Sequence, residues 1–366
     1  MTYPADSAQL IEHVAALAKT DLVPVVNAVD QDGFYPEAFL RQLGDLGGFR
    51  ANVPAHLGGL AFGLANQIDV IREVGRVCGS TAFLVWCQTT CALYLNLSAN
   101  AQVRERYLPA VAAGTLLSGT GMSNTVKHLA GIENIHLKAR REDGAYVVSG
   151  SLPWVSNVGP DHLAIVAAAV QDGGYVMFAV QGNAQGVSLH PCPEFSGLEG
   201  TQTLNIRMKD VRVADADVLA HPDQFKDYIA RIKPSFIMGQ LGMGFGVIDC
   251  SLRTIQESNR MSAHVNQFLD DQGDDLAQEA ARLFDQARQV AQQPSIQVLD
   301  ALRLRLATSE LTLRAANSAL LHAGAKGYLK RHPAQRRLRE AMFVAIVTPA
   351  LKHLRKEIHA LEQVAA

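Results

Sequence analysis

The chain is poor in most of the features that assign a protein at sight. Cysteine is sparse: Cys78, Cys87, Cys91, Cys192 and Cys250 are all there are in 366 residues, an odd number with no Cys-x-x-Cys pair. That pattern excludes a disulfide framework and points to a reduced, cytoplasmic setting. Cys87 and Cys91 stand four apart, close enough to share a helix face. No histidine cluster accompanies them, so they read as small buried hydrophobes and no metal site is expected. Charge of one sign is missing as well: 33 Lys and Arg oppose 35 Asp and Glu, a net of −2. A near-neutral chain gives no electrostatic case for nucleic acid or for an anionic membrane. The longest apolar run, Leu163 to Val170, is far too short to span a bilayer. The first residues, Met1-Thr2-Tyr3-Pro4-Ala5-Asp6, show no basic or apolar leader, so no secretory signal is expected.

What remains is 48% hydrophobic and 19% charged, enough apolar surface to offset the entropy of ordering a chain. The length exceeds what one core usually serves and suggests two or three modules. Apolar residues recur with helical period over Ser7–Leu22, Pro36–Leu46, Asn66–Val77, Thr81–Leu97 and Gln102–Ala113. After Gly114 the period falls to two, at Ile135–Arg140, Ala145–Val148, His162–Val170, Tyr175–Val180, Gly186–Leu189 and Leu204–Val211, with Gly- and Asp-rich turns between. Helical texture then returns at Phe236–Asn259, Asp275–Gln293, Ser295–Ala323 and Pro333–Val364. The fold class is therefore α+β. It comprises an N-terminal helical domain (1–113), a central antiparallel β-barrel or sandwich (114–221) and a C-terminal four-helix bundle (222–366).

Several segments, in order along nearly the whole chain, carry a more specific likeness. They are Leu46-Gly47-Gly48-Phe49-Arg50 through Gly58-Gly59-Leu60, Glu73-Val74-Gly75-Arg76, and Arg106-Tyr107-Leu108-Pro109 through Gly114. Gly150-Ser151-Leu152-Pro153-Trp154-Val155-Ser156-Asn157, Gly197–Val213, Gly324-Ala325-Lys326-Gly327-Tyr328 and Arg339-Glu340-Ala341 complete the set. Together they resemble the acyl-CoA dehydrogenase family. The resemblance implies a flavoprotein oxidoreductase holding FAD between the β domain and the bundle, and a small-molecule substrate such as an acyl thioester. It also implies a homodimer or homotetramer that completes the flavin site across the bundle interface.

Residue by residue the resemblance is uneven. Trp154 and Ser156 fall where the family packs a tryptophan on the flavin ring and sets a hydroxyl at its N5 edge. Two apart on a strand, both project to one face; the plain alternative is a core tryptophan and a hydroxyl bonded to backbone. Met122 and Ser123 match the segment that meets the pyrimidine edge, although Thr125–Ala130 departs from the loop that follows it in the family. On the ADP side Ser258 replaces the family arginine and Leu321 its glutamine. Arg260 or Lys326 would have to compensate around the Gly324–Gly327 turn, so FAD binding is expected to be weak, with FMN a lesser alternative. The position of the family's catalytic glutamate is Thr348, a neutral hydroxyl with no basicity near pH 7. His353 is the nearest titratable substitute; His322 and Glu194 are weaker ones. Asp270, Asp271, Asp274 and Asp275 read as the solvated start of a helix. Three functions fit: dehydrogenation of an acyl or other small organic substrate by an altered route, flavin-dependent monooxygenation on the same fold, or a non-catalytic relative.

Overall fold

Apolar residues three and four apart wind the first third of the chain into helices. The structure, a computed structural model, describes residues 3–365. Helix α1 (Ser7–Leu17) starts at Asp6, whose carboxylate accepts from the Gln9 N–H at 2.9 Å. Then come α2 (Val26–Gln31), α3 (Glu37–Asp45), α4 (Gly63–Gly75), α5 (Gly79–Leu97) and α6 (Ala101–Ala113). Gly114 stops α6 at φ +72°, a conformation that favours glycine. The six-residue α2 is too short for a periodic signal and was not expected from sequence.

The middle block holds β1 (Ser118–Thr120), a short helix α7 (Ser123–Leu129), β2 (Lys138–Glu142), β3 (Ala145–Val155), β4 (Leu163–Val170), β5 (Tyr175–Gln181), β6 (Val187–Pro191), β7 (Leu204–Ala214) and β8 (Val218–Ala220). One sheet runs β6-β7-β3-β2-β4-β5-β8, with β1 alongside β4. The expected antiparallel barrel or sandwich is in fact a mixed sheet. Its pairings are antiparallel except β1–β4 and β2–β4, which are parallel. Alternate residues such as Val148, Leu152, Val166, Phe178, Ile206 and Met208 fill a core of its own.

Among the described residues six helices follow, not four: α8 (Pro222–Gly239), α9 (Leu241–Asn266), α10 (Gly273–Ala291), α11 (Val298–Ala323), α12 (Pro333–Ile346) and α13 (Leu351–Ala365). The long Pro333–Val364 segment breaks near Pro349, which has no N–H to offer a helix. Pro222–Asn266 is long and apolar enough to cross a membrane by length and composition, but 83% of its most apolar window is buried inside the protein.

Helices from both ends of the chain share one apolar core. At its centre α4 crosses α9 through a glycine pair. A Cβ on Gly246 would lie 2.6 Å from the Gly75 backbone, so any side chain there would force the helices apart. Beside the crossing, Arg72 of α4 and Arg76 just past its end both reach Asp249 of α9, at 2.7 and 2.8 Å.

Candidate functional site

The sheet's β1 edge delivers its chain to the helices through a tight passage. The Gly121 N–H bonds to the Ile165 carbonyl at 2.8 Å, and a Cβ on Gly121 would meet the Val166 side chain at 2.6 Å. Met122 follows, buried, and Ser123 opens α7. The stretch expected to meet the pyrimidine edge of a flavin thus runs on into a helix. Ser123 Oγ lies 2.7 Å from Thr348 Oγ1 in the link between α12 and α13. Two positions 225 residues apart, both singled out by the family resemblance, are hydrogen-bonded to each other.

Thr348 is held from behind as well. Its carbonyl accepts from Gln240 Nε2 at 2.9 Å, and Gln240 Oε1 accepts from Arg305 Nε at 2.8 Å. Arg305 is only 1% exposed. Its other donors go to the Val344 carbonyl (2.6 Å) and to Ser309 Oγ, with no carboxylate in contact among the described residues. Burial pushes its pKa down to about 10, which leaves it charged at neutral pH. Sequence reasoning missed Gln240 and Arg305. Gln240 was findable as a lone amide within Phe236–Phe245, whereas Arg305 is hidden by the exposed arginines around it.

Trp154 and Ser156 do not share a regular strand face as expected. A bulge between Leu152 and Val155 interrupts the β3–β7 register, Trp154 sits at φ +57°, and β3 ends before Ser156. The indole is 60% exposed, whereas Ser156 is buried, so Trp154 is not a core filler. Both nevertheless attach to the same partner segment. The Trp154 N–H donates to Asn205 Oδ1 at 3.2 Å, and Ser156 Oγ lies 2.5 Å from Thr203 Oγ1, itself 2.7 Å from Thr201 Oγ1. Next to them Asn157 is buried, donating to the Ser118 carbonyl at 2.7 Å and accepting from Tyr35 Oη at 2.6 Å.

The residues expected on the ADP side are not joined to this group by any hydrogen bond or ion pair among the described residues. Arg260 is exposed near the end of α9, Lys326 is exposed, and Leu321 shows half its surface. Gly324 has φ +60° and open space where a side chain would stand. Gly327 is buried, and a Cβ there would come within 3.0 Å of Ala323. His353 is buried in the first turn of α13 with Nδ1 unpartnered, and Nε2 lies 3.8 Å from Glu357. Burial lowers its pKa; Glu357 opposes the shift and Lys233, Lys356 and Lys127 add to it. It makes no hydrogen bond to the Ser123–Thr348 pair among the described residues. No group of three or more His, Cys, Asp or Glu that could hold a metal occurs among them either.

Comparison with known proteins agrees with this architecture. Residues 4–115 match the family described as "Acyl-CoA dehydrogenase, N-terminal domain". The short-chain specific acyl-CoA dehydrogenase of Homo sapiens mitochondria is 25% identical over 364 residues, spanning 94% of this chain and 86% of that protein. Butyryl-CoA dehydrogenase from Megasphaera elsdenii superimposes with a TM-score of 0.88 at 17% identity, over 99% of each chain. A glutaryl-CoA dehydrogenase from Mycobacterium smegmatis, solved in complex with FADH2, does so with a TM-score of 0.85 at 16% identity, over 99% of this chain and 96% of that one. The match at the N-terminus, relatives at low identity along nearly the whole chain and a shared fold all point to the acyl-CoA dehydrogenase family, from which this chain is divergent.

Proposed function

We propose that the protein is a flavin-dependent oxidoreductase acting on an acyl or similar small organic substrate, with residue 348 serving as a positioned hydroxyl instead of a base. The observation behind this reading is the bonded series Arg305–Gln240–Thr348–Ser123, which fixes position 348 from both sides. The residues fit a flavin ring: an uncovered indole stands next to buried hydroxyls, an apolar face beside a polar edge. Trp154 would stack on the ring, with Ser156, Ser123 and the Met122 backbone at its polar edges, and the flavin would supply the hydride- or electron-accepting chemistry. Whichever of the Ser123 and Thr348 hydroxyls accepts in their mutual bond keeps its own proton free to donate to a substrate oxygen as negative charge develops there. Arg305, buried without a counter-ion, favours that charge through a low-dielectric interior. What the pair cannot do is abstract an α-proton.

That lack favours a second reading, oxygenation, which needs no α-proton removal. Flavin absorbance of the purified protein, and its loss in Trp154→Ala, tests the first premise. Turnover of acyl thioesters with a dye acceptor then divides the readings. Thr348→Glu is expected to raise dehydrogenation by about 10²–10⁴; a wild-type protein already as fast as Thr348→Glu would mean a base elsewhere.

The same proposal includes a homodimer or homotetramer. Met261 and Val265 on the last turns of α9 and Phe268 in the turn that follows are exposed apolar side chains at one end of the helix, with Phe268 81% exposed. Light scattering showing a monomer at micromolar concentration would refute it. A cytoplasmic location, in keeping with five free thiols, is testable by cell fractionation.

A further inference from the structure

Helix α7 is gripped at both ends by one C-terminal element. At its start Ser123 Oγ meets Thr348 in the link that leads into α13. At its finish the Lys356 ammonium of α13 donates to the Ala130 carbonyl at 2.6 Å, and a Cβ on Gly131 would stand 3.9 Å from the same nitrogen. The last carbonyls of a helix carry partial negative charge, so a cation is favoured there. A seven-residue helix is too short to be stable alone. Its place therefore depends on what holds its two ends.

In sequence between the two grips stands His353, 4% exposed, five residues after Thr348. Everything around it opposes a positive charge. It is the third residue of α13, where the helix dipole disfavours a cation. Lys233 of α8, Lys356 of α13 and Lys127 of α7 act on it against one carboxylate, Glu357. Glu357 is already paired with Lys233, and Glu133 with Lys127. The other imidazole on α7, His128, has both ring nitrogens engaged, by the Glu133 carbonyl at 3.1 Å and by Tyr175 Oη at 2.9 Å. A protonated His353 would also bury an N–H at Nδ1, which has no acceptor.

We propose that α13 is an acid-sensitive clamp on the Ser123–Thr348 pair: Lys356 is a positioning residue for α7, and protonation of His353 drives the first turn of α13 outward and parts the two hydroxyls. The inference takes from the functional reading above only that this pair is a working part of the site. A neutral His353 keeps the clamp shut. Because the imidazole is held below its ordinary range, the clamp stays closed at neutral pH and opens as pH falls through the lowered value.

The test is hydrogen–deuterium exchange of the full-length protein at a series of pH values, corrected for the pH dependence of exchange in an unstructured chain. Protection of α7 and of the first turn of α13 should drop on acidification, while β3 and β7 stay protected. His353→Gln should abolish that step. Glu357→Gln removes the one carboxylate that favours the imidazolium, so the step should move to lower pH. Lys356→Met should cut α7 protection by roughly tenfold to a hundredfold at neutral pH, the worth of a charge-assisted hydrogen bond, and Lys356→Arg should restore it. A step that persists in His353→Gln, or moves upward in Glu357→Gln, overturns the clamp. So does a Lys356→Met protein whose α7 is as protected as the wild type. None of these measurements needs flavin or substrate. Flat exchange beside normal turnover of acyl thioesters overturns the clamp and spares the oxidoreductase reading. Acid release of α7 in a protein that binds no flavin supports the clamp and defeats that reading.

Discussion

Two arginines are buried to the same extent, 1% exposed, and have opposite surroundings. Arg337 on α12 meets the Glu340 carboxylate at 2.5 Å and the carbonyls of Gly75, Arg76 and Val77 at the end of α4. Glu340 in turn accepts from the Gly79 N–H at 2.8 Å, where α5 begins. Its neighbouring carboxylate drives the Arg337 pKa upward. Arg305 has only neutral oxygens around it, and burial drives its pKa the other way. The first arginine is neutralised and ties the N-terminal helices to the C-terminal ones. The second remains an unmatched charge directly behind Thr348. A buried cation given a carboxylate is a fastener; one denied it leaves an electric field in the site.

Breaking the fastener should have the largest effect. Glu340→Ala strands the Arg337 charge and uncaps α5, and is expected to cost about 3–5 kcal/mol in urea unfolding. Arg305→Met removes its own charge and orphans the Gln240 and Val344 oxygens, so a smaller loss of about 1–3 kcal/mol is expected. Equal losses from the two would erase the distinction. Next come the buried imidazoles His162 and His353, both held below their ordinary pKa chiefly by burial. A depressed folded-state pKa means the stabilisation is present above the ordinary imidazole range and disappears as pH falls through the lowered value. The urea midpoint should therefore drop on acidification from neutral pH, and the drop should shrink in His162→Gln/His353→Gln. Smallest is Asp215→Asn on the surface, where Arg141 pairs with Asp215 at 2.6 Å with both side chains in solvent. Under about 1 kcal/mol is expected.

The sequence made the alternation of helical, strand and helical blocks legible because periods of 3.6 and 2 survive in single segments. Elements too short to show a period escaped it: α2, β1, β8 and the seven-residue α7. The parallel pairings of β4 escaped for another reason, since register between distant segments leaves no mark in either one. Of the candidate site, Ser123, Trp154, Ser156 and Thr348 were readable by resemblance. Their arrangement was not. The Ser123–Thr348 bond depends on how α7 meets the α12–α13 link, and Trp154's exposure depends on a bulge that strand alternation does not foresee. Arg305 and Gln240 were invisible because their role comes from burial, and one sequence shows burial only as an average over a helix face.

The glycine crossing of α4 on α9 also bears on how the chain is made. Gly75 must wait for Gly246 to be synthesised, and at about 5–20 residues per second that is roughly ten to thirty seconds. During that interval the apolar face of α4 has no native partner, while the β sheet between the two, with its own core, is already complete in the chain. The order of synthesis therefore favours closing the sheet first and the helical core last, so the nascent N-terminal helices form the segment most in need of a chaperone. A truncated chain ending at Ala220 should then bind a hydrophobic dye that the full chain excludes.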